Sequence, residues 1–261
     1  MRILWIHKYI LDILEKKSRA SLENRGTKRL QANKDLWQEL SAYISRSPSS
    51  GASWSDYWLL YRYIRIVKPK EVLECGTGVT TMVMAYAMLE NERESGIVGR
   101  ITSMEELEKY YQIARQLLPP RLKRYVEIIC SPRVEEHYCL FRGVRYRDVP
   151  ARAYDFVYVD GPGTKSPSDG VKTFDFDFIR VVLQSEKPVF AIVDTRMSTC
   201  WVFNNIFRPG KVVYDYRYDV GLVGPCTKND LLSTDEMIKA VGPHPVRRRR
   251  HFFALTPYPW A

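Results

Sequence analysis

The chain has 261 residues, 45% of them hydrophobic, so it can bury a sizeable core in one large domain or in one domain with an appendage. No apolar run approaches the length of a membrane-spanning helix, and Lys8, Asp12 and Glu15 stand where a signal peptide would be apolar, so we predict a cytoplasmic protein. The net charge of +10 is compatible with an acidic partner such as nucleic acid, anionic lipid or a sugar phosphate, and also with a solvated basic surface.

The five cysteines, at positions 75, 130, 139, 200 and 226, are odd in number, widely spaced and without a CxxC pair. This pattern argues against both a disulfide framework and a thiolate zinc site. We therefore expect the thiols to be reduced.

The first fifty residues contain two helical patterns. Residues 2–15 place apolar side chains at helical spacing, which predicts an amphipathic helix. Such a helix can lie on a membrane surface, on a partner subunit of a homo-oligomer or on its own domain. A second helical pattern covers residues 35–44, and the Ser-rich stretch 45–51 reads as a linker. We predict an N-terminal helical extension over residues 1–50 and a second domain over residues 51–261.

The second domain alternates between strand and helix patterns. We predict strands over residues 71–74, 100–104, 125–130, 154–159 and 188–193, and helices over residues 53–67, 79–89, 105–118 and 174–183. Two further runs, 211–218 and 251–256, suit a final antiparallel pair. The fold class is therefore α/β, with a mostly parallel sheet covered by helices on both faces.

A glycine turn follows the first predicted strand. Gly76 and Gly78 let the backbone turn sharply and approach a bound molecule, and the helix that follows offers free N–H groups. A Gly-x-Gly pair alone is weak evidence for a ligand-binding turn, because most such pairs are ordinary turns. Its meaning depends on what the other strand ends carry.

The carboxyl ends of the predicted strands carry mostly acids. In open α/β sheets ligands bind at these ends. The residues there are Glu74, Glu105, Ser131, Asp160 and Asp194. A dinucleotide fits poorly, because Glu74 would face its pyrophosphate and Thr81 stands where the third glycine of GxGxxG belongs. A cationic ligand such as S-adenosylmethionine fits better, and Glu105 can accept from its ribose hydroxyls.

These segments together resemble the class I S-adenosylmethionine-dependent methyltransferases. The motifs are LECGTG at residues 73–78, ITSME at 101–105, EIICS at 127–131 and YDFVYVDGP at 154–162, and the likeness covers about residues 53–256. The Val-Asp-Gly-Pro motif and the pair Val193 and Asp194 are similar to those of small-molecule and sugar O-methyltransferases. The resemblance implies a Rossmann-like methyltransferase sheet of seven strands, mostly parallel, with an antiparallel last strand.

The resemblance also implies roles for individual residues. Gly76 and Gly78 would cradle the methionine part, and Glu74 would hold its ammonium directly or through water. Glu105 would take the ribose hydroxyls, Ser131 would lie beside the adenine, and Asp160 would lie near the sulfonium. The cofactor-binding set is thus Glu74, Gly76, Thr77, Gly78, Thr80, Glu105, Ser131 and Asp160. Asp160 and Asp194 are the catalytic candidates, and they match positions that bind a divalent metal such as Mg²⁺ in some O-methyltransferases. Those families usually place Asn or Asp after the second acid, whereas this chain has Thr195 and Arg196 there. Whether a metal binds therefore stays open.

Each role has a structural alternative. Glu74 can cap the following helix, Glu105 can be a first-turn acid, Ser131 can be a turn residue and Asp194 can pair with Arg196. The four arginines at positions 247–250 can grip a phosphate or simply be solvated.

The predicted activity is O-methylation of a sugar or another small molecule, phenolic or anionic, with the aromatic and arginine-rich insertion between Ser131 and Tyr154 as part of the acceptor wall. Two alternatives stay open. The first is a nucleic-acid methyltransferase, which the charge favours and the absence of an Asn/Asp-Pro-Pro-Tyr pattern disfavours. The second is a non-catalytic binding or assembly module with the same fold.

Overall fold

The computed structural model describes residues 19–48 and 53–241. Its helices are α1 (19–32), α2 (Lys34–Ile44), α3 (Trp54–Val67), α4 (Val79–Ser95), α5 (Glu108–Leu117), α6 (Asp177–Gln184), α7 (Met197–Ile206) and α8 (Thr234–Val241). Its strands are β1 (Glu71–Cys75), β2 (Arg100–Glu105), β3 (Val126–Cys130), β4 (Arg133–Tyr138), β5 (Phe141–Tyr146), β6 (Phe156–Val159), β7 (Val189–Asp194), β8 (Val212–Asp215) and β9 (Val220–Cys226). Short 3-10 turns cover Pro120–Tyr125 and Lys228–Asp230.

Several sequence-based predictions fall outside these ranges. They are the amphipathic helix over residues 2–15, the strand over 251–256 and the arginines at 247–250. The predicted domain boundary falls in the gap between the two described ranges and stays a prediction. Among the described helices, none has both the length and the apolar character needed to cross a membrane.

Seven strands form one sheet in the order β3-β2-β1-β6-β7-β9-β8. The pairs from β3 to β7 are parallel, and β9 runs antiparallel to both β7 and β8. The predicted α/β class, with a mostly parallel Rossmann-like sheet and an antiparallel last strand, is confirmed. The antiparallel strand itself is β9, which the sequence analysis missed because two glycines and a proline within Val220–Cys226 resemble a turn.

A separate hairpin, β4–β5, lies in the insertion after β3. The sequence pattern predicts no strands there. The hairpin turns at Cys139, which has a φ of 50°, and not at the glycine or asparagine that usually marks such a turn.

Helices cover the sheet on both faces, and alternate residues of each strand point to opposite cores. Val72 belongs to the core under α2, α3 and α4, whereas Leu73 belongs to the core under α6 and α7. Helix α4 is buried around nearly its whole circumference from Val79 to Leu89. The glycine turn that precedes it is therefore fixed between a buried strand and a buried helix.

The N-terminal helices share the first of these cores, through Leu30 of α1 and Leu36, Leu40 and Tyr43 of α2. Helix α1 also reaches the carboxyl edge of the sheet. Glu23 accepts hydrogen bonds from the N–H groups of Trp54 and Ser55 at 3.0 and 3.2 Å, and so caps the start of α3.

Candidate functional site

The candidate site lies at the carboxyl edge of the sheet, beside β1. The chain order reverses between β1 and β6, which opens a crevice at the strand ends. Glu74 is the last residue but one of β1, and the other four residues predicted from the strand ends end or follow β2, β3, β6 and β7. These five strands are consecutive neighbours in the sheet. The structure thus brings Glu74, Glu105, Ser131, Asp160 and Asp194 onto one edge.

The glycine turn lies directly against the end of β6. Gly76 has a φ of 100°, and a Cβ atom there would lie 2.9 Å from the carbonyl oxygen of Asp160. Its N–H donates to the carbonyl oxygen of Met104 at 3.0 Å. Only glycine fits this position without strain or a backbone shift. Gly78 is extended, and its N–H donates to the hydroxyl of Thr81 at 2.9 Å.

Glu74 is fully buried under this turn. Its carboxylate accepts hydrogen bonds from the hydroxyls of Thr80, Thr81 and Ser103, at 2.6, 2.5 and 2.6 Å. Burial raises the pKa of Glu74 to about 7, although the three hydroxyls favour the carboxylate and lower it. Glu74 and Thr80 therefore hold the start of α4 against β2, which agrees with the capping alternative. The oxygen of Thr77 lies 3.2 Å from that of Thr81, on the outer side of the same network.

Glu105 links the end of β2 to the glycine turn. Its carboxylate accepts the N–H of Leu107 at 2.9 Å, and the N–H groups of Glu106 and Thr77 also bond to it. Burial raises the pKa of Glu105, and these N–H groups partly offset the shift. A buried carboxylate whose orientation is fixed by three backbone groups is suited to accept hydrogen bonds from a pair of hydroxyls.

Ser131 is fully buried, and its contacts are with the hairpin insertion. Its hydroxyl oxygen accepts the N–H of Asp148 at 2.9 Å, and its own N–H donates to the carbonyl oxygen of Glu105 at 2.8 Å. These bonds agree with the turn alternative.

Asp160 and Asp194 differ in their access to solvent. The side chain of Asp160 is 40% exposed, whereas Asp194 is 3% exposed. Burial raises the pKa of Asp194 to about 8, and the nearby charges of Asp160 and Asp56 raise it further. The partly buried position of Asp160 raises its pKa, and Arg196 counteracts this shift.

Arg196 ties the loop after β6 to the core. It donates to the carbonyl oxygens of Asp160 and Pro162 at 2.5 and 3.0 Å, and to the buried carboxylate of Asp175 at 2.7 Å. Its Nη2 atom lies 3.6 Å from Oδ1 of Asp160. Thr199 completes the network by donating its hydroxyl to Asp175 at 2.6 Å.

Two acids of this region were not predicted from the sequence. Asp56 accepts the N–H of Ser53 at 2.9 Å, and its sequence signal is that of a helix capping box. Asp175 lies in the segment 174–178, where phenylalanines and aspartates alternate. Acids are seldom fully buried, so an acid among aromatic residues is a signal that the sequence does contain.

No metal centre is indicated. Across residues 19–48 and 53–241, no group of three or more His, Cys, Asp or Glu side chains is arranged to hold a metal ion. The guanidinium of Arg196 supplies the cation beside Asp160. The donor set therefore does not support Mg²⁺ at Asp160 and Asp194.

Comparisons with known proteins give distant structural likenesses. No protein-family model matches the chain, and no curated protein matches it. Similar solved structures include the O-methyltransferase TomG of tomaymycin synthesis from Streptomyces achromogenes, in complex with SAM, with 18% identity over 63% of this chain and 67% of that chain and a TM-score of 0.40.

Two others are similar at the same level. One is an O-methyltransferase from Bacillus cereus in complex with SAH, with 17% identity over 72% of this chain and 91% of that chain and a TM-score of 0.44. The other is a methyltransferase-like protein from Silicibacter pomeroyi, with 14% identity over 70% of this chain and 92% of that chain and a TM-score of 0.40. Likenesses this distant assign neither an activity nor a substrate.

Proposed function

We propose that this chain transfers a methyl group from S-adenosylmethionine to a hydroxyl oxygen of a small molecule, such as a sugar or a phenolic or anionic acceptor. The observation that carries the proposal is the acidic crevice at the chain-order reversal, where Glu105 and Asp160 flank a glycine turn held against β6. Carboxylates on both sides of the turn suit a cationic adenosine cofactor and disfavour a pyrophosphate.

Different residues at the edge contribute to binding different parts of this cofactor. The turn from Gly76 to Gly78 packs against the methionine part, and Glu105, whose carboxylate the N–H of Thr77 helps to orient, accepts from the ribose hydroxyls. Glu74 and Ser131 act from beneath, by fixing the turn and the end of β3. When bound, the cofactor supplies an electrophilic methyl carbon on a sulfonium.

Proton removal from the acceptor falls to Asp160. Methyl transfer needs an aligned acceptor oxygen and a base within hydrogen-bond reach of its proton. Asp160 has a partly exposed carboxyl group and a raised pKa, which favours uptake of a proton, whereas Asp194 is buried. Arg196 fixes the backbone carbonyl of Asp160, so it positions the base.

Titration calorimetry with S-adenosylmethionine tests the donor. We expect wild-type protein to bind it, and Glu105→Ala to weaken binding about tenfold or more, which corresponds to about 1.4 kcal/mol or more. Glu108→Ala is the matched control, since Glu108 is an exposed acid three residues along the chain whose side chain bonds to Gln112 and Cys130. Absence of binding by the wild-type protein would refute the proposal.

The acceptor is then sought by measuring methyl transfer to candidate sugars and phenols, with and without a chelator of divalent metals. We expect transfer to survive chelation, because Arg196 already neutralises charge beside Asp160. We expect Asp160→Asn to lower the turnover about 100-fold or more, the usual contribution of a positioned base, while cofactor affinity changes much less.

A further inference from the structure

We propose that a groove between the β4–β5 hairpin and α7 binds a small amphiphilic anion, namely an apolar or aromatic ring system that carries an acidic group. The groove is distinct from the strand-end site, because none of the strand-end acids lines it. Its existence does not depend on the proposed methyl transfer.

The groove has the dimensions of a small-molecule site. Its volume is about 480 Å³, within the range of about 300 to 1,000 Å³ that such sites occupy. Three segments that are distant in sequence line it, and the residues that matter here are Phe141, Arg142, Lys172, Phe174, Ser198 and Trp201.

One wall is apolar and exposed. Trp201 of α7 is 49% exposed, an unusual state for the largest apolar side chain. Each of the three segments also has an exposed large apolar residue next in sequence to a residue that lines the groove. These residues are Leu140, Val171 and Met197. An exposed aromatic side chain that lines a concavity, as Trp201 does, is typical of a ligand-binding surface.

The floor of the groove is rigid. Phe174 is buried and packs edge-on against Phe141 and Phe203, with ring centroids 6.5 and 6.2 Å apart. Asp175 and Thr199, each adjacent to a lining residue, bond to one another at 2.6 Å just behind this floor. A ring that enters the groove therefore meets a preformed surface.

The polar side of the groove favours an anion. Lys172 is exposed and makes no ion pair with any residue of the described ranges, so its charge is available to a ligand. Arg142 is held by Asp169 at 2.8 Å, which fixes the orientation of its guanidinium. Ser198 adds an exposed hydroxyl in the first turn of α7. Positive charge beside the exposed ring of Trp201 indicates an occupant that carries an acidic group on an apolar body.

The test uses the full chain and two fluorescent probes of nearly the same shape. The probe 8-anilinonaphthalene-1-sulfonate carries an acidic group, and N-phenyl-1-naphthylamine carries none. We expect Trp201→Ala to weaken the binding of both probes about tenfold. We expect Lys172→Gln to weaken the binding of the sulfonate about fivefold and to leave the affinity for the uncharged probe unchanged.

Matched variants control for non-specific effects. Ile66→Ala removes another exposed apolar side chain, and Lys123→Gln removes another exposed lysine, both away from the groove. We expect neither to change probe binding, and urea midpoints should show that all four variants remain folded. Glu105→Ala should keep full probe binding even though it binds S-adenosylmethionine more weakly, which separates this proposal from the proposed activity.

Three results would overturn the proposal. Probe affinity unaffected by Trp201→Ala would place the binding elsewhere. An equal effect of Lys172→Gln on both probes would remove the requirement for an anion. Light scattering that shows a dimer in the wild type and a monomer in Trp201→Ala would mean that a second copy of the chain covers the groove.

Discussion

Replacing Gly76 by alanine tests the geometry on which the candidate site depends. The substitution adds a single methyl group where the backbone has a φ of 100° and where the carbonyl oxygen of Asp160 lies 2.9 Å from the new carbon. Both the local conformation and the contact with β6 oppose it. We therefore expect a loss of stability together with a loss of cofactor binding.

The magnitude follows from these two effects. A non-glycine residue held in a sparsely populated backbone conformation costs about 1–3 kcal/mol. Forcing extra volume against a fixed backbone typically costs about another 1–3 kcal/mol. The sum is about 2–6 kcal/mol in the free energy of unfolding, and the second part arises only where a neighbour blocks the methyl group.

Gly210→Ala isolates that second part. Gly210 has a φ of 86°, close to that of Gly76, but a Cβ atom there would meet nothing within 4 Å. Urea unfolding should show Gly76→Ala to be less stable than Gly210→Ala by about 1–3 kcal/mol. Calorimetry should show weakened S-adenosylmethionine binding for Gly76→Ala alone. Equal stability losses in the two variants would refute the close approach of the glycine turn to β6.

Two further predictions concern buried charges. The pKa of Asp194 is raised to about 8, so the folded state holds a proton that the unfolded state releases near pH 4, and wild-type stability should fall as pH rises between these values. Asp194→Asn should remove this fall, and its free energy of unfolding near pH 8 should exceed that of the wild type by at least about 1 kcal/mol. Urea midpoints of Asp194→Asn that keep the wild-type dependence on pH would contradict the raised pKa of Asp194. Arg196→Met leaves buried Asp175 without its ion-pair partner and should cost about 3–5 kcal/mol in thermal or urea unfolding. Lys187→Met, which breaks the more exposed pair with Asp155, should cost less than about 1 kcal/mol, and similar costs for the two variants would argue against the burial difference.

The positions of the strand-end residues could be predicted from sequence because the signals are local. An apolar run that stops at Glu74 and turns at Gly76 marks both the end of β1 and the start of α4. The same reasoning located Glu105 and Asp160. Because these strands are parallel neighbours in the sheet, their carboxyl ends lie at the same edge. The acidic crevice therefore follows from the order of the strands.

The partners of these residues could not be predicted, because they depend on packing. Ser103 reaches Glu74 from the neighbouring strand, and Asp56 reaches the edge through the packing of α3. Nothing in the local sequence of Asp175 indicates that Arg196 will bond to it across the loop after β6. Such contacts join residues that are tens of positions apart, where periodicity carries no signal.

The strands that were missed have a different cause. Strand β9 contains Gly221, Gly224 and Pro225, and its conformation is imposed by the two strands between which it lies. The β4–β5 hairpin is rich in charged residues, which find partners across it, as in the pair of Arg145 with Glu136. Propensity is a weak guide where neighbouring strands decide the conformation.

The position of β9 has a consequence for synthesis on the ribosome. Strand β7 is made before its neighbour β9, so Val189, Ala191 and Val193 first form an unprotected sheet edge. At translation rates of about 5–20 residues per second, the interval between Asp194 and Cys226 lasts roughly 2–6 s. During that time the nascent chain exposes an aggregation-prone edge to other chains and to chaperones, and completion of β9 closes it.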